Sequence, residues 1–457
     1  MATGNSAAAS SPGNKSQVRK AAIASTIGTT IEWYDYFLYG AAAALVFPHV
    51  FFPHMSPYLG LIASFASYFV GFVARPIGAA IFGHWGDRIG RKAMLITTLL
   101  MMGLSTALIG VLPGAGSWGD AAPAILILLR VLQGIAVGGE WGGSILLSME
   151  WGNQKRRGLM ASWPQLGVAI GIILSTGLMA IFNGIMGTDA FIAWGWRIPF
   201  LLSLVLVAIG LYIRIKIMET PMFAEVVRTN KTRKAPVLEV IRRYPKEIVL
   251  SALLRMSEQM PFYIVTAFVL SYLTNKDHHY SYNFVLIGTM VAAALELFFV
   301  PYFGHLSDKK NRLRIYQLGA AITGVWGFVY FGLLDSGVAW LVFIALSVAL
   351  VPHAMQYGPQ ASIIAENFPT ELRYTGAGLG YQLASIVAGG PAALIATVLL
   401  HNFGTGYAVS VYMLVSALIT IAASLGLKDH SKSDIADSGT YTPRVGKVGT
   451  DRKATSG

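Results

Sequence analysis

The chain has 457 residues, of which 54% are hydrophobic and only 12% charged, whereas a soluble globular domain carries about 25% charged residues. This composition excludes an ordinary soluble fold and predicts an all-α integral membrane protein. The absence of cysteine excludes disulfides and cysteine-based metal sites, and the formal net charge of +12 raises nucleic acid as a partner.

Apolar runs of about 20 residues, the length of a membrane-spanning helix, recur about twelve times along the chain. Their predicted limits are 22–48, 59–83, 93–112, 122–148, 158–182, 196–217, 246–273, 283–304, 313–333, 338–364, 375–400 and 405–427. Basic residues concentrate in alternate connections, whereas the opposite connections hold only Lys276. The positive-inside rule therefore predicts both termini in the cytoplasm. The excess charge then contacts lipid headgroups of the bilayer, and no nucleic-acid partner is expected.

The first span contains the stretch GTTIEWYDYFLYG (28–40), which carries two carboxylates within an apolar run. Four polar residues follow the spacing i, i+3, i+4, i+7 and form one stripe on a helix: Glu32, Asp35, Tyr36 and Tyr39. Trp33 and Phe37 are expected to point elsewhere. Because a carboxylate in hydrocarbon is costly, such residues indicate a functional site.

Three further charges lie at membrane depth in the same half of the chain: Arg75 in the second span, and Arg130 and Glu140 in the fourth. An acid held beside an arginine can take up or release a proton when the arginine moves away. The candidate proton-coupling residues are therefore Glu32, Asp35 and Glu140, with Asp35 nearest the midplane. A purely structural ion-pair cluster, with Arg130 reaching toward the interface, is the alternative.

The chain repeats itself, which predicts two homologous halves. GHWGDRIGRK (83–92) is echoed by GHLSDKKNR (304–312). Asp308 follows Asp87 by 221 residues, and Glu366 follows Glu150 by 216 residues. A parallel repeat of six helices fits these offsets, with the substrate site between the halves. The predicted organisation is a tail (1–20), a first half (21–217), a cytoplasmic loop (218–245), a second half (246–427) and a Ser/Gly/Thr-rich tail (428–457) expected to be disordered.

The second half supplies mainly neutral donors and acceptors, which suit a small polar substrate. The candidate substrate-binding residues from both halves are Tyr36, Tyr39, Arg75, Arg130, Gln133, Gln165, Arg255, Glu258, Gln259, Tyr263, Gln356, Tyr357 and Gln382. Glu258 falls near the repeat position of Glu32. His353 could titrate, but a lone intramembrane histidine is expected to be a structural residue held by hydrogen bonds. The alternative for each Tyr and Gln is a hydrogen bond between neighbouring helices.

Several stretches resemble the major facilitator superfamily, and in particular its metabolite:proton symporter family. They are GTTIEWYDYFLYG, FVARPIGAAIFGHWGDRIGRK, RVLQGIAVGGEWGG and WGWRIPFLLS, and the resemblance is dense from about 26 to 225 and thinner over 246–427. The resemblance implies a monomeric carrier of the bacterial inner membrane that works by alternating access without a cofactor or metal. Members of that family carry α-ketoglutarate, citrate, shikimate, or proline and betaine.

In that family the loop motif holds the cytoplasmic ends of the halves together. The resemblance therefore assigns gating roles to Gly83, Asp87, Arg88, Gly90, Arg91, Lys92, Glu150, Arg157, Asp308, Glu366 and Arg373. The second copy has lost part of the motif at 309–311, so the first copy is expected to be the stronger gate.

Enzyme and pump classes lack support in the sequence. It contains no H-E-x-x-H, G-x-S-x-G or nucleotide-binding P-loop motif. The predicted function is proton-coupled uptake of a small organic acid, such as a di- or tricarboxylate or a shikimate-like metabolite. Uptake of a zwitterion of the proline or betaine type and proton-driven efflux remain as alternatives.

Overall fold

A computed structural model of the chain describes residues 12–89, 91–139, 145, 148–149, 156–216, 236–275, 279–369 and 372–433. Within these helices, the side chains of 12–22, 24–25, 83–89, 91–93, 95, 214, 216, 236 and 374 also lie outside the description.

Twelve long helical elements follow one another in the described part of the chain. Nine are each assigned as a single helix: α1 Pro12–Leu45, α2 Pro57–Ile89, α3 Arg91–Val111, α4 Ala121–Gly138, α5 Arg157–Met186, α6 Arg197–Lys216, α8 Tyr282–Lys309, α9 Arg312–Leu334 and α12 Tyr407–Leu425. Three are built from segments: α7 from Pro245–Leu254, Met256–Tyr263, Ile264–Phe268 and Val269–Thr274; α10 from Ala339–Val348 and Val351–Glu366; α11 from Arg373–Ala384, Ser385–Gly389 and Gly390–Phe403. Short helices lie at Phe47–Val50, Ala115–Trp118, Thr188–Ala190, Phe191–Gly195 and Pro236–Arg243.

Among the described residues, eight helices are long and apolar enough to cross a membrane. The helical segments Thr188–Gly195 and Arg197–Ile213, which meet at a bend, make a ninth if they are counted as one span. α1, α3 and α7 fall outside this set: α3 counts only as a shorter apolar helix, Ile96–Val111, and α7 is broken into segments of at most 10 residues. The predicted all-α membrane fold of about twelve helices is confirmed. The cytoplasmic placement of the termini and the limits of the loop 218–245 stay predictions.

The same helix pairs form in both halves. α1 packs on α5, α2 on α4 and α3 on α6; six helices later, α7 packs on α11, α8 on α10 and α9 on α12. A parallel repeat requires this correspondence, so the packing agrees with the repeat inferred from the loop motifs. The halves meet where α5 packs on α8 and α10, α2 on α11, and α1 on α7.

Prolines lie within α7 and beside the break in α10. Pro261, inside the segment Met256–Tyr263 of α7, has no N–H to donate to the carbonyl of Ser257 one turn earlier, and Gln356 Nε2 donates to that carbonyl instead, at 3.4 Å. Pro352 is the second residue of the second segment of α10, directly after the break at Leu350.

Candidate functional site

The close crossing of α2 and α4 brings two arginines together. A Cβ on Gly78 would lie 1.8 Å from the carbonyl oxygen of Ile135, so the two backbones touch there. Arg75 and Arg130 flank this crossing and both reach Tyr36, with each guanidinium carbon 4.3 Å from the ring centroid. Cation–π contact with one buried tyrosine thus joins α1, α2 and α4.

Both guanidinium groups have unmet hydrogen-bonding capacity. Arg130 Nη1 donates to Gln133 at 3.1 Å, and Gln133 donates to Thr106 at 2.7 Å. The Nε and Nη2 atoms of Arg130 and of Arg75 are buried and have no hydrogen-bond acceptor among the described residues. Buried, unsatisfied donors of this kind are costly, which makes them candidates for binding an anion.

The acids of α1 lie beside these arginines. Asp35 is 1% exposed, and neither of its carboxylate oxygens accepts a hydrogen bond from a described residue. Arg130 acts on it electrostatically. Glu32 is likewise buried and is one of the charges that act on Arg75. The predicted polar stripe of α1 therefore faces both arginines.

Trp33 and Phe37 lie on another face of α1 than the polar stripe, and this face also reaches the site. Trp33 lines the central cavity, and Phe37 stacks on it with ring centroids 5.3 Å apart. Phe37 also contacts Phe262 of α7 at 5.5 Å. α1 is buried on every side from residue 28 to 47 because it lies between the two halves, so its apolar face also reaches the site.

A second polar network surrounds Glu258 in α7. Its Oε2 accepts from Arg255 Nε at 3.2 Å and from Gln360 Nε2 at 2.6 Å. Its Oε1 lies 3.3 Å from His353 Nε2, while the other imidazole nitrogen, Nδ1, is hydrogen-bonded to Glu296 of α8. The sequence suggested an isolated His353, but the fold places it between two carboxylates from different helices.

A small cavity lies between these two networks. Its lining is Trp33, Val168, Arg255, Glu258, Gln259, Phe262, Tyr263, His353, Tyr357 and Tyr381. Arg255 Nε and Nη1 bond Glu258 and the carbonyl of Tyr381, and no described residue accepts from Nη2. Tyr263 Oη and Gln259 Oε1 are also without a partner among the described residues. These groups offer donors and acceptors to a bound molecule.

The predicted substrate-binding residues therefore separate into three sets. Five line the cavity: Arg255, Glu258, Gln259, Tyr263 and Tyr357. Tyr36, Tyr39, Arg75, Arg130 and Gln133 belong to the arginine cluster behind it. Gln165 donates to the Tyr357 carbonyl and Gln356 to Thr323, while Gln382 is buried outside the lining. Trp33, Phe262, His353 and Tyr381 were missing from the predicted set because their positions depend on contacts between helices.

Ion pairs join the halves at the face of the bundle where α12 ends, which we call the terminus-side face. Arg157 of α5 bonds Glu366 of α10 at 2.7 Å, and Arg312 of α9 bonds the same oxygen at 2.7 Å. Asp308 of α8 accepts from the backbone N–H groups of Gly158 at 2.7 Å and Leu159 at 2.9 Å. We call Arg157, Asp308, Arg312 and Glu366 the terminus-side latch; Arg312 was not among the predicted gating residues.

The segment after α12 contributes to this latch. Arg157 Nη2 donates to the carbonyl oxygen of His430 at 2.9 Å, and Asp429 Oδ2 accepts from the Arg312 N–H at 3.0 Å. Residues 428–433 were assigned to a disordered tail, and that assignment is wrong for them because Arg157 and Arg312 provide partners for their backbone and side chains.

The remaining gating predictions fall partly outside the description. Arg373 Nε donates to the carbonyls of Ala365 and Phe368, both at 3.1 Å, at the end of α10. Gly90, Glu140 and Glu150 lie outside the described residues, as do the side chains of Gly83, Asp87, Arg88, Arg91 and Lys92. Their roles stay predictions.

Solved structures share this fold. The crystal structure of the D-xylose-proton symporter matches with a TM-score of 0.70 at 16% sequence identity, covering 91% of this chain and 99% of that one. A partially occluded, inward-open conformation of the xylose transporter XylE from E. coli matches with a TM-score of 0.67 at 17% identity, covering 90% and 97%.

Curated relatives match over nearly the whole chain. The shikimate transporter of Escherichia coli K12 is 40% identical over 422 residues, covering 92% of this chain and 96% of the relative. The inner membrane metabolite transport protein YhjE of E. coli K12 is 39% identical over 410 residues, covering 89% and 93%. The proline/betaine transporter of E. coli K12 is 32% identical over 383 residues, covering 82% and 76%. The family model described as Major Facilitator Superfamily matches residues 27–393, and the chain is therefore a transporter that belongs to the major facilitator superfamily.

Proposed function

We propose that this chain is a proton-coupled symporter of the bacterial inner membrane that takes up a small organic acid of the shikimate type. The observation that carries this proposal is the cavity around Arg255, which presents a guanidinium nitrogen without a described partner among aromatic walls. A guanidinium binds carboxylate well, and aromatic rings suit the body of a small ring compound. The relative at 40% identity is a shikimate transporter.

Alternating access is supported by contacts between the halves at both faces. The terminus-side latch closes one end of the cavity. At the opposite face, Tyr58 of α2 stacks on His401 of α11 at 3.8 Å, and Asn183 of α5 donates to Asn283 of α8 at 2.8 Å. Contacts between the halves at both faces suit an occluded state of the carrier. Since the cavity lies within one chain, we propose that the monomer in the bilayer is the transport unit.

Roles proposed from the sequence fit into this scheme. Glu32, Asp35 and Glu140 are proposed to handle a proton in the first half, because two of them lie beside arginines whose movement would change their charge balance. The latch residues, together with the first-half loop motif, are proposed to hold the terminus-side face closed.

Reconstituted protein in proteoliposomes tests the function. Labelled shikimate should accumulate when an inward proton gradient is imposed, and it should exchange with unlabelled shikimate at equal pH on both sides. Arg255→Ala should lose both activities, because it removes the donor to the carboxylate. Failure of wild-type protein to bind or accumulate shikimate would reject this substrate class.

Zwitterion uptake is the second candidate. Trp33 and Tyr263 in the cavity wall could hold a quaternary ammonium by cation–π contact, and a proline/betaine transporter is 32% identical. Competition of glycine betaine against labelled shikimate decides between the two. Uptake of labelled glycine betaine that shikimate inhibits only weakly would favour the second candidate.

A further inference from the structure

The histidine of α10 is held between two carboxylates at the edge of the cavity. His353 Nδ1 bonds Glu296, and His353 Nε2 lies 3.3 Å from Glu258. The imidazole ring stacks on Phe262 at 4.6 Å and on Tyr357 at 5.0 Å. The ring therefore has a fixed orientation, with each nitrogen aimed at one acid.

All groups facing this histidine can be named from the helices around it. α8 supplies Glu296, and α7 supplies Glu258 together with Arg255, which bonds Glu258 at 3.2 Å. Among the described residues, the further ionisable groups that line the cavity or bond its polar network are tyrosines: Tyr263, Tyr316, Tyr357 and Tyr381. The first half faces the cavity with Trp33 and Val168, which carry no charge.

Counting charges in this cluster shows that one proton is needed for neutrality. With both glutamates ionised and His353 neutral, the single positive charge of Arg255 leaves a net charge of minus one. One proton on the Glu296–His353 pair brings the cluster to zero. Each of the four residues is at most 5% exposed, so water cannot compensate an unbalanced charge there.

The first half differs in this respect. Among its described residues, two acids, Glu32 and Asp35, lie beside two arginines, Arg75 and Arg130, whereas the cluster around His353 has one arginine for two glutamates. The second half thus holds a titratable site that does not depend on the acids of α1.

We propose that Glu296 and His353 form a second proton-binding site, whose proton must be in place before an anionic substrate binds beside Arg255. This inference rests on the proposed function as an organic-acid symporter. Glu258 connects the two sites, because it accepts from Arg255 on one side and from His353 on the other.

Coupling follows from electrostatics. A substrate carboxylate beside Arg255 adds a negative charge to the cluster, which favours the protonated pair over the deprotonated pair. By reciprocity, the bound proton strengthens substrate binding by the same factor. When the cavity opens at the terminus-side face, the substrate leaves and water enters. The proton then transfers to water and leaves as hydronium.

The pH dependence of shikimate affinity tests this site. In wild-type protein, the Kd should rise about tenfold per pH unit above the pH at which one proton leaves. Glu296→Gln cannot ionise and keeps the cluster neutral, so that one-proton rise should disappear. Glu296→Asp retains an acid and should retain the slope. Glu239→Gln makes the same exchange in a surface pair with Arg243 and should match the wild type.

A second variant covers the case in which Glu296→Gln does not fold. His353→Gln removes one of the two groups that share the proton, so the pH at which the rise in Kd begins should shift. An unchanged profile in either variant would overturn the inference while leaving the proposed function intact. If the wild-type protein shows no gradient-driven uptake of shikimate in liposomes, the proposed function fails, and the inference fails with it.

Discussion

At the scale of single residues, three buried arginines are held by different partners. Arg75 and Arg130 lie against aromatic rings and keep two nitrogens each without an acceptor among the described residues. Arg255 is bonded to Glu258 and lines the cavity. A bidentate fork is the property that lysine cannot replace.

Arg255→Lys should weaken the binding of a carboxylate substrate by about 1–3 kcal/mol, because the charge stays but the planar donor pair is lost. Isothermal titration with shikimate measures this change. Arg130→Lys is the matched variant, since Arg130 lies behind the cavity wall. If Arg130→Lys causes the larger loss, the carboxylate binds in the arginine cluster, as the sequence-based assignment of Arg130 to the substrate site requires.

Asp35→Asn should separate two activities of the carrier. The amide imitates the protonated acid, so substrate exchange at equal pH should continue, whereas net symport requires a proton to be released and should stop. Accumulation of shikimate by the variant under an inward proton gradient would contradict a coupling role. Loss of both activities in protein that still binds shikimate would make Asp35 a structural residue.

At the scale of helices, the α5–α8 contact closes the terminus-side face without side chains between the backbones. A Cβ on Gly158 would lie 2.6 Å from the Gly304 carbonyl oxygen and 2.4 Å from Ser307 Oγ. Asp308 accepts from the first N–H groups of α5, where the helix dipole favours a negative charge. The start of α5 therefore needs both a small residue and an acid from the other half.

Gly158→Ala should prevent this contact and favour the state open at the terminus-side face. The chain has no cysteine, so spin labels at Ile23→Cys and Lys246→Cys report the separation of α1 and α7 without background. Gly177→Ala is the control on the same helix, because its Cβ would meet only the flexible end of Met290 at 3.3 Å. Equal distance distributions in Gly158→Ala and Gly177→Ala would refute the prediction.

Asp308→Asn should also favour the open state, because it removes the charge that Arg312 and the start of α5 share. From the sequence, Asp308→Asn is predicted to be milder than Asp87→Asn, since the second loop has lost part of its motif. The described contacts of Asp308 argue for a substantial effect. Uptake rates of the two variants, normalised to inserted protein, rank them directly.

The sequence predicted the helices, the repeat and most of the charged residues of the site, because these depend on local hydropathy and on motif spacing. It did not predict the partners of His353, since Glu258 and Glu296 come from separate helices and their convergence depends on helix packing. Trp33 was not assigned to the site for a related reason. A helical stripe separates polar from apolar faces, but it does not indicate that both faces of α1 are buried between the halves.

At the scale of the whole molecule, one acceptor joins both halves and the end of the chain. Glu366 accepts hydrogen bonds from Arg157 of the first half and from Arg312 of the second. Arg157 also donates to backbone carbonyls of the segment after α12, and Asp429 accepts from the backbone N–H of Arg312. The closed state of the terminus-side face is therefore stabilised by residues 428–433 as well as by the halves themselves. This contact must break in each transport cycle, so its net contribution is expected to be modest.

Removal of residues 428–457 should shift the protein toward the state open at the terminus-side face. The deletion eliminates several hydrogen bonds to charged groups. Each such bond makes a net contribution of about 1.5–3 kcal/mol to stability. A net loss of 1.4 kcal/mol would already change the ratio of closed to open protein by about tenfold. The spin-label pair on α1 and α7 measures that ratio. Deletion of 434–457 alone is the matched control, because it retains every described contact of the segment and should leave the distances of the full chain. If both deletions give the distribution of the full chain, the segment follows the closure of the halves and does not stabilise it.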